Sequence, residues 1–219
     1  MNPLIQAVQS GQLEAVQTCL KAHPALLHER SASGPSAVLL AVYYGHDEIA
    51  AHLVDAGADL NVFEAAALGL HERLEALLAL EPGVVNAFNT DGFQALGLAA
   101  FFGHDRAVAL LLERGAHVNS ASNNAQRVMP LHSAVARKHL HIARRLIAHG
   151  ADVNATQEDG FTPLQEAAQN GDLPMLEVLL SAGALPDARN AQGKSALELA
   201  LEHGHAAVAQ RLERLNALA

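Results

Sequence analysis

Apolar residues recur along the chain in short bursts at i, i+3 and i+4, as in Ile49, Leu53 and Val54 or Val108, Leu111 and Leu112. That spacing marks one face of an amphipathic helix. Between these bursts lie denser apolar stretches with small pairs such as Ala99-Ala100 and Ala167-Ala168, which predict a second helix that its neighbours approach closely. Gly45, Gly69, Gly103, Gly171 and Gly204 follow these denser stretches, where a helix end favours a left-handed residue. Thr162 followed by Pro163 reads as an N-cap and first helical residue. Neither helix of such a pair can bury its apolar face alone, so the pattern predicts helix pairs that stack on one another.

The pairs are periodic. Gly57-Ala58-Asp59-Leu60-Asn61 returns as Gly115-Ala116-His117-Val118-Asn119, as Gly150-Ala151-Asp152-Val153-Asn154 and, loosely, as Gly183-Ala184-Leu185-Pro186-Asp187. Weaker copies end at Asn86 and His28, so successive end points are spaced by 33, 25, 33, 35 and 33 residues. Residues 160–171 read Gly-Phe-Thr-Pro-Leu-Gln-Glu-Ala-Ala-Gln-Asn-Gly, and Met129-Pro130-Leu131-His132-Ser133-Ala134 is a further copy of the same run. On these residues the chain resembles the ankyrin repeat family over essentially its whole length. The resemblance implies an all-α ankyrin-repeat solenoid of about seven helix-turn-helix units with short β-hairpin or turn fingers. The units run approximately 1–28, 29–61, 62–86, 87–119, 120–154, 155–187 and 188–219, in a single ankyrin repeat domain. Gln6, Gln9 and Gln12 in the first unit and Gln210, Arg211 and Glu213 in the last give both ends the polar face of a terminal cap, so a complete array is expected.

Three departures from the pattern stand out. In the third unit Asn61-Val62-Phe63 runs straight into Glu64-Ala65-Ala66-Ala67-Leu68-Gly69, leaving no room for a finger. A notch is therefore expected in the finger row. The fifth unit is two residues long instead, and its Ser122-Asn123-Asn124-Ala125-Gln126-Arg127 predicts an extended polar tip. Lys138 stands in that unit where the others have glycine, which forces a side chain into left-handed geometry at a cost of about 1 kcal/mol.

The third departure is aromatic. Two positions between the alanine pair and the glycine, which the resemblance places on the concave face, hold Tyr43-Tyr44, Leu68 and Phe101-Phe102 in units two to four, and Arg137 in unit five. Phe63 and Phe93 are expected nearby. Half of the eight aromatic residues thus fall on one stripe flanking the notch, the composition of an interaction hot spot. The opposing possibility is that one ring of each pair packs under its neighbour. Polar finger residues Asn89, Asp91, Asn123, Asn124, Glu158 and Asp159 are expected to form the rim.

Composition narrows the function. The chain is 219 residues long, half hydrophobic, 4% aromatic and without tryptophan, so alanine and leucine must build the core. A net charge of -9 argues against coating a nucleic-acid backbone, no apolar run is long enough to span a membrane, and no secretion signal opens the chain. A lone Cys19, in an apolar helix face, suits a reducing compartment and a small buried side chain. A cytoplasmic location is expected, with a secreted effector as the alternative, and three lysines among 14 basic residues with abundant alanine hint at a bacterial source. Of 13 histidines, His46, His104, His139 and His205 follow the glycine (or Lys138) and His132 sits in the Thr-Pro-Leu-His slot, all positions with structural roles in the resembled family. His139/His141 and His203/His205, at i, i+2, point to different helix faces, and no metal site is expected. No nucleophile elbow, phosphate loop or paired carboxylates suggest catalysis, and no cofactor is expected. Arg137-Lys138 and Arg144-Arg145 read as solvated helix face, with a docking point for an acidic partner patch as the alternative. The function that follows is a non-enzymatic module binding an unidentified protein on its concave face, possible roles being inhibitor or adaptor. Two alternatives stay open, a groove for a small apolar ligand or peptide tail and a self-associating homodimer, with the monomer favoured.

Overall fold

The computed structural model describes residues 2–28 and 34–217; residues 29–33, which open the second unit, lie outside these bounds. Among the described residues fourteen α-helices follow one another in pairs. They are α1 (Pro3–Gln9) and α2 (Leu13–Ala22), α3 (Ala37–Tyr43) and α4 (Asp47–Asp55), α5 (Val62–Ala67) and α6 (His71–Leu80), α7 (Ala95–Phe102) and α8 (Asp105–Glu113), α9 (Pro130–Ala136) and α10 (Leu140–Ala148), α11 (Pro163–Gln169) and α12 (Leu173–Ser181), and α13 (Ala196–Glu202) and α14 (Ala206–Asn216). The odd-numbered helices pack on one another in an inner layer and the even-numbered ones in an outer layer that is loosest between α4 and α6, an ankyrin-type helical solenoid.

Local chemistry sets the helix starts. Thr162 Oγ1 accepts from Gln165 N while Gln165 Oε1 accepts from Thr162 N, a reciprocal cap ahead of Pro163; Ser195 and Glu198 repeat it before α13. Asn61 and Glu64 do the same before α5. Here lies the reason for the short unit: the asparagine that ends one loop also caps the next helix, so no residues are left for a finger.

The layers are held by small and branched apolar side chains. Ala65, Ala66, Ala99, Ala100, Ala134, Ala167, Ala168 and Ala200 are fully buried between inner helices, and Leu74, Leu111, Leu146 and Leu179 fill the space to the outer layer. The buried residues form two clusters that meet at Phe63. Between outer loops, asparagines make a ladder: Asn86, Asn119 and Asn154 each accept from a backbone N–H of the next unit and donate to the carbonyl of its glycine, Gly115, Gly150 and Gly183. This satisfies backbone groups that the turns would otherwise leave unpaired.

The fingers are turns, and no β-strand forms among the described residues. In units four to seven one backbone bond closes each at its base, Asn89 N to Phe93 O, Ser122 N to Val128 O, Gln157 N to Phe161 O and Asn190 N to Lys194 O, and a second closes the turn inside it, as Gly92 N to Asn89 O does. One more bond joins each finger to the next, Asn123 N to Gly92 O, Glu158 N to Gln126 O and Ala191 N to Asp159 O. With a single bond per edge, the row lacks the ladder that would make it the β-hairpin array the resemblance allows.

Candidate functional site

The stripe of aromatic residues is split by depth. Tyr43, at the end of α3, reaches across the fingerless third unit: its hydroxyl donates to Asp91 Oδ2 at 3.3 Å and accepts from Asn89 Nδ2 at 3.4 Å, both on the finger of unit four. Its ring stacks on Phe102 with centroids 6.2 Å apart. The small Ala67 occupies the matching position of the intervening unit, which gives the two rings room to meet. Burial, and then the neighbouring Asp91 carboxylate, push the Tyr43 phenol well above its usual pKa, although the Asn89 bond works the other way. Tyr43 is thus a strut holding a finger rather than a free ring. Phe63 and Phe93 are likewise half-buried against the core. Between Gly34–Ser36 and the finger of unit four lies a cleft of about 220 Å³, lined also by Phe63 and Glu64.

Tyr44 and Phe101 are the exposed members, 54% and 36% accessible. With Leu68, Phe102 and Arg137 they line a shallow concavity of about 890 Å³ bounded by α4. The Arg137 guanidinium lies 5.0 Å from the Phe101 ring centroid, a cation–π contact.

The polar rim residues divide too. Asn89 Oδ1 accepts from the N–H groups of Asp91 and Phe93, and Asn124 donates to the Asp91 carbonyl while accepting from Ser122 Oγ. Asn89, Asp91 and Asn124 are therefore occupied within the finger row, and the expected polar tip of unit five folds back on its neighbour. Asn123, Glu158 and Asp159 remain exposed.

A second cavity, of about 590 Å³, lies between the fingers of units four to six and helices α7, α9 and α11. Phe93, Phe101, Phe102 and Phe161 give it aromatic walls, and Glu166 of α11 stands in it. Burial alone raises the Glu166 carboxyl to about 7, and its Oε2 has no hydrogen-bond partner. His132 also borders the cavity but is fully buried, with Nε2 donating to the Phe161 carbonyl at 3.2 Å. Burial lowers its pKa to about 4, against the opposing effect of that bond, so the ring is neutral near pH 7.

Three of the four histidines that follow the helix-ending glycine or Lys138, and Arg145 of the basic cluster, tie neighbouring units together, whereas His46 Nε2 has no hydrogen-bond partner and Arg144 is exposed. His104, His139 and His205 donate from Nε2 to carbonyls of the preceding unit, those of Ala67, Phe101 and Gln169. Arg145 forms two bonds, of 2.9 and 2.8 Å, to Asp105 one unit back, which hold that carboxyl below its ordinary value. Cys19 is half-buried on α2 rather than enclosed. Among the described residues no three His, Cys, Asp or Glu side chains converge on a possible metal position, and no helix is long and apolar enough to cross a membrane.

Family models place these features. Models described as "Ankyrin repeats (3 copies)", "Ankyrin repeats (many copies)" and "Ankyrin repeat" match residues 131–216, 98–146 and 33–65, together more than half of the chain. The chain belongs to the ankyrin repeat family. The ankyrin repeat protein YahD of Escherichia coli (strain K12) is 29% identical over 94% of this chain and 92% of its own length. The B-cell lymphoma 3 protein homolog of Mus musculus is 36% identical over 51% of the chain, and the nuclear factor NF-kappa-B p105 subunit of Gallus gallus 31% identical over 69%. The chain spans only 25% and 16% of those two relatives.

Within this ankyrin repeat chain, the sequence pattern singles out neither Phe161 nor Glu166. A signal does exist for the glutamate. Five residues before the unit's glycine or its replacement, α5 also carries a carboxylate, Glu64, but α7, α9 and α13 carry Leu98, Ser133 and Leu199, so a carboxylate there is not something the repeat demands.

Proposed function

We propose that this ankyrin repeat chain is a non-enzymatic module that holds a protein partner on its concave face. Ankyrin repeats are in general protein–protein interaction modules. The observation that carries this reading is the pair of exposed rings Tyr44 and Phe101, set with Leu68 and Arg137 at the ends of the inner helices around a concavity that α4 closes on its outer side. Exposed aromatic and arginine side chains at the centre of an apolar depression are the composition of binding hot spots. Asn123, Glu158 and Asp159 supply the polar rim. Tyr43, Phe63, Phe93 and Phe102 support the anchors from below, and Asn89, Asp91 and Asn124 fix the finger edge, so their part in binding is indirect.

The test is affinity capture from the source cell with wild-type protein and with Tyr44→Ala and Phe101→Ala. Both rings are exposed, so circular dichroism and melting should stay close to wild type while the captured partner falls at least tenfold. Full capture by both folded variants would remove the concave anchor.

A further inference from the structure

The cavity between the finger row and the inner helices contains a charge that nothing in the chain answers. The Glu166 side chain makes no hydrogen bond or ion pair among the described residues, and its Oε2 is shut off from solvent. Other carboxylates of the inner layer have partners: Glu64, in the same register of α5, accepts from the Asn61 N–H, and Glu198 accepts from that of Ser195. Glu166 has no such duty, because Gln165 already caps α11. A half-buried, unpaired carboxylate with one oxygen shut off from water is costly to keep, and the equivalent Leu98 and Leu199 show that the fold accepts an apolar residue in its place.

The surroundings define what would satisfy it. No lysine or arginine lines the cavity, while Glu158 and Asp159 add two more carboxylates at its mouth. Its walls are phenyl rings, and Phe101 already receives one guanidinium, that of Arg137, from outside the cavity. An anionic floor inside aromatic walls matches a cation carried on an apolar stem. A volume of about 590 Å³, open along the fingers, takes a long side chain together with flanking backbone. We propose that this cavity receives a lysine or arginine side chain from an extended segment of the partner protein, with Glu166 as its ion-pair partner and Phe101, Phe102 and Phe161 as its walls. The proposal rests on the concave-face reading and names the chemistry of the partner. Pairing also explains a carboxyl that burial has raised, since an incoming cation returns it to the charged form.

The test uses fluorescein-labelled nine-residue peptide pools, degenerate except for a central arginine, lysine or norleucine, titrated into the whole protein by anisotropy. Wild type should bind the arginine and lysine pools at least tenfold more tightly than the norleucine pool. Glu166→Gln should bring that ratio to near one, leaving the norleucine pool within twofold of its wild-type affinity. A second variant, Ala136→Arg, places a guanidinium at the cavity wall from a partly exposed position and should also abolish the preference. Equal binding of all three pools by wild type, or a preference that survives Glu166→Gln, overturns the basic-side-chain pocket while leaving a peptide-binding groove in place. Binding of free N-acetyl-arginine methylamide as tight as that of the peptides overturns the extended-segment occupant. If no pool binds, the pocket proposal falls, and the concave-face reading is decided separately by Tyr44→Ala, whose ring lies outside this cavity.

Discussion

The imidazole of His139 rests on the α-carbon of Gly103 in the unit before it, and a β-carbon added to that glycine would meet Cε1 at 2.7 Å. The same contact joins Gly11 to His46, Gly69 to His104 and Gly171 to His205. Glycine is demanded twice here, by a positive φ of 84° at Gly103 and by the ring. Gly45 has a similar φ, 71°, but faces open space, because the following unit carries Leu70 in place of histidine. Gly103→Ala should therefore cost about 2–3 kcal/mol and Gly45→Ala about 1 kcal/mol, as the ring contact adds an overpacking penalty to the backbone strain. Urea unfolding of the two variants measures the difference. Equal losses would mean that the ring moves aside freely.

Lys138 fits the same rule. The unit after it carries Asp172 where the others have histidine, so no ring stands over the backbone, and a side chain is sterically admitted despite a φ of 59°. Only the backbone strain remains, offset in part by an exposed bond from Nζ to the Asn170 carbonyl at 3.0 Å. Lys138→Gly should raise the urea midpoint by an amount corresponding to roughly 0.5–1 kcal/mol, with an unchanged slope. A lower midpoint would show that the lysine bond outweighs the strain.

Tyr43 links unit two to unit four through Asn89 and Asp91. Tyr43→Phe keeps the ring stack on Phe102 but leaves two part-buried polar groups without a partner. The expected loss is about 1–2 kcal/mol by chemical denaturation. Hydrogen exchange at the Asn89–Phe93 turn should quicken as well, and unaltered exchange there would show that the finger does not depend on the strut.

Glu166 and His132 tilt stability in opposite directions with pH. For Glu166 the carboxyl is raised on folding from 4.5 to about 7, so its contribution is full below about pH 4.5 and is lost as pH rises through 7. For His132 the ring is lowered from 6.5 to about 4, so its contribution is full above about pH 6.5 and is lost as pH falls through 4. Each effect spans at most about 3 kcal/mol, and between about pH 4.5 and 6.5 the two slopes oppose each other. Glu166→Gln should raise the unfolding free energy at pH 8 by about 1–3 kcal/mol and leave it little changed at pH 4. His132→Gln, which copies the Gln165 of the next unit, should flatten the acid limb instead. Thermal melts across this range check both signs, and a Glu166→Gln profile parallel to wild type would show that the carboxyl is solvated in the folded state.

Much of the stack can be read from the sequence because each unit obeys local rules. Alanine pairs, Thr162-Pro163 and the spaced glycines fix helix ends without reference to anything distant, and the 25-residue interval announces the missing finger. Which ring of an adjacent pair is exposed follows from no local rule. Tyr43 turns inward and Tyr44 outward, whereas in unit four Phe102 turns inward and Phe101 outward, because the absent finger and the small Ala67 let Tyr43 and Phe102 find one another across a whole unit. The polar fingers mislead for a similar reason: asparagine is as suited to bonding neighbouring backbone, as Asn89 and Asn124 do, as it is to meeting a partner. The Glu166 cavity is assembled from three fingers and three helices, and no single stretch of sequence contains it.

The third unit dispenses with its finger, yet α5 still packs on α3 and α7, and α6 on α8. The inner layer thus stacks on past the missing finger, while the outer layer loosens between α4 and α6. Such an architecture can lengthen, shorten or delete one tooth of its recognition edge without rebuilding the body that carries it. A new partner calls for a recut edge, and the fold underneath goes on unchanged.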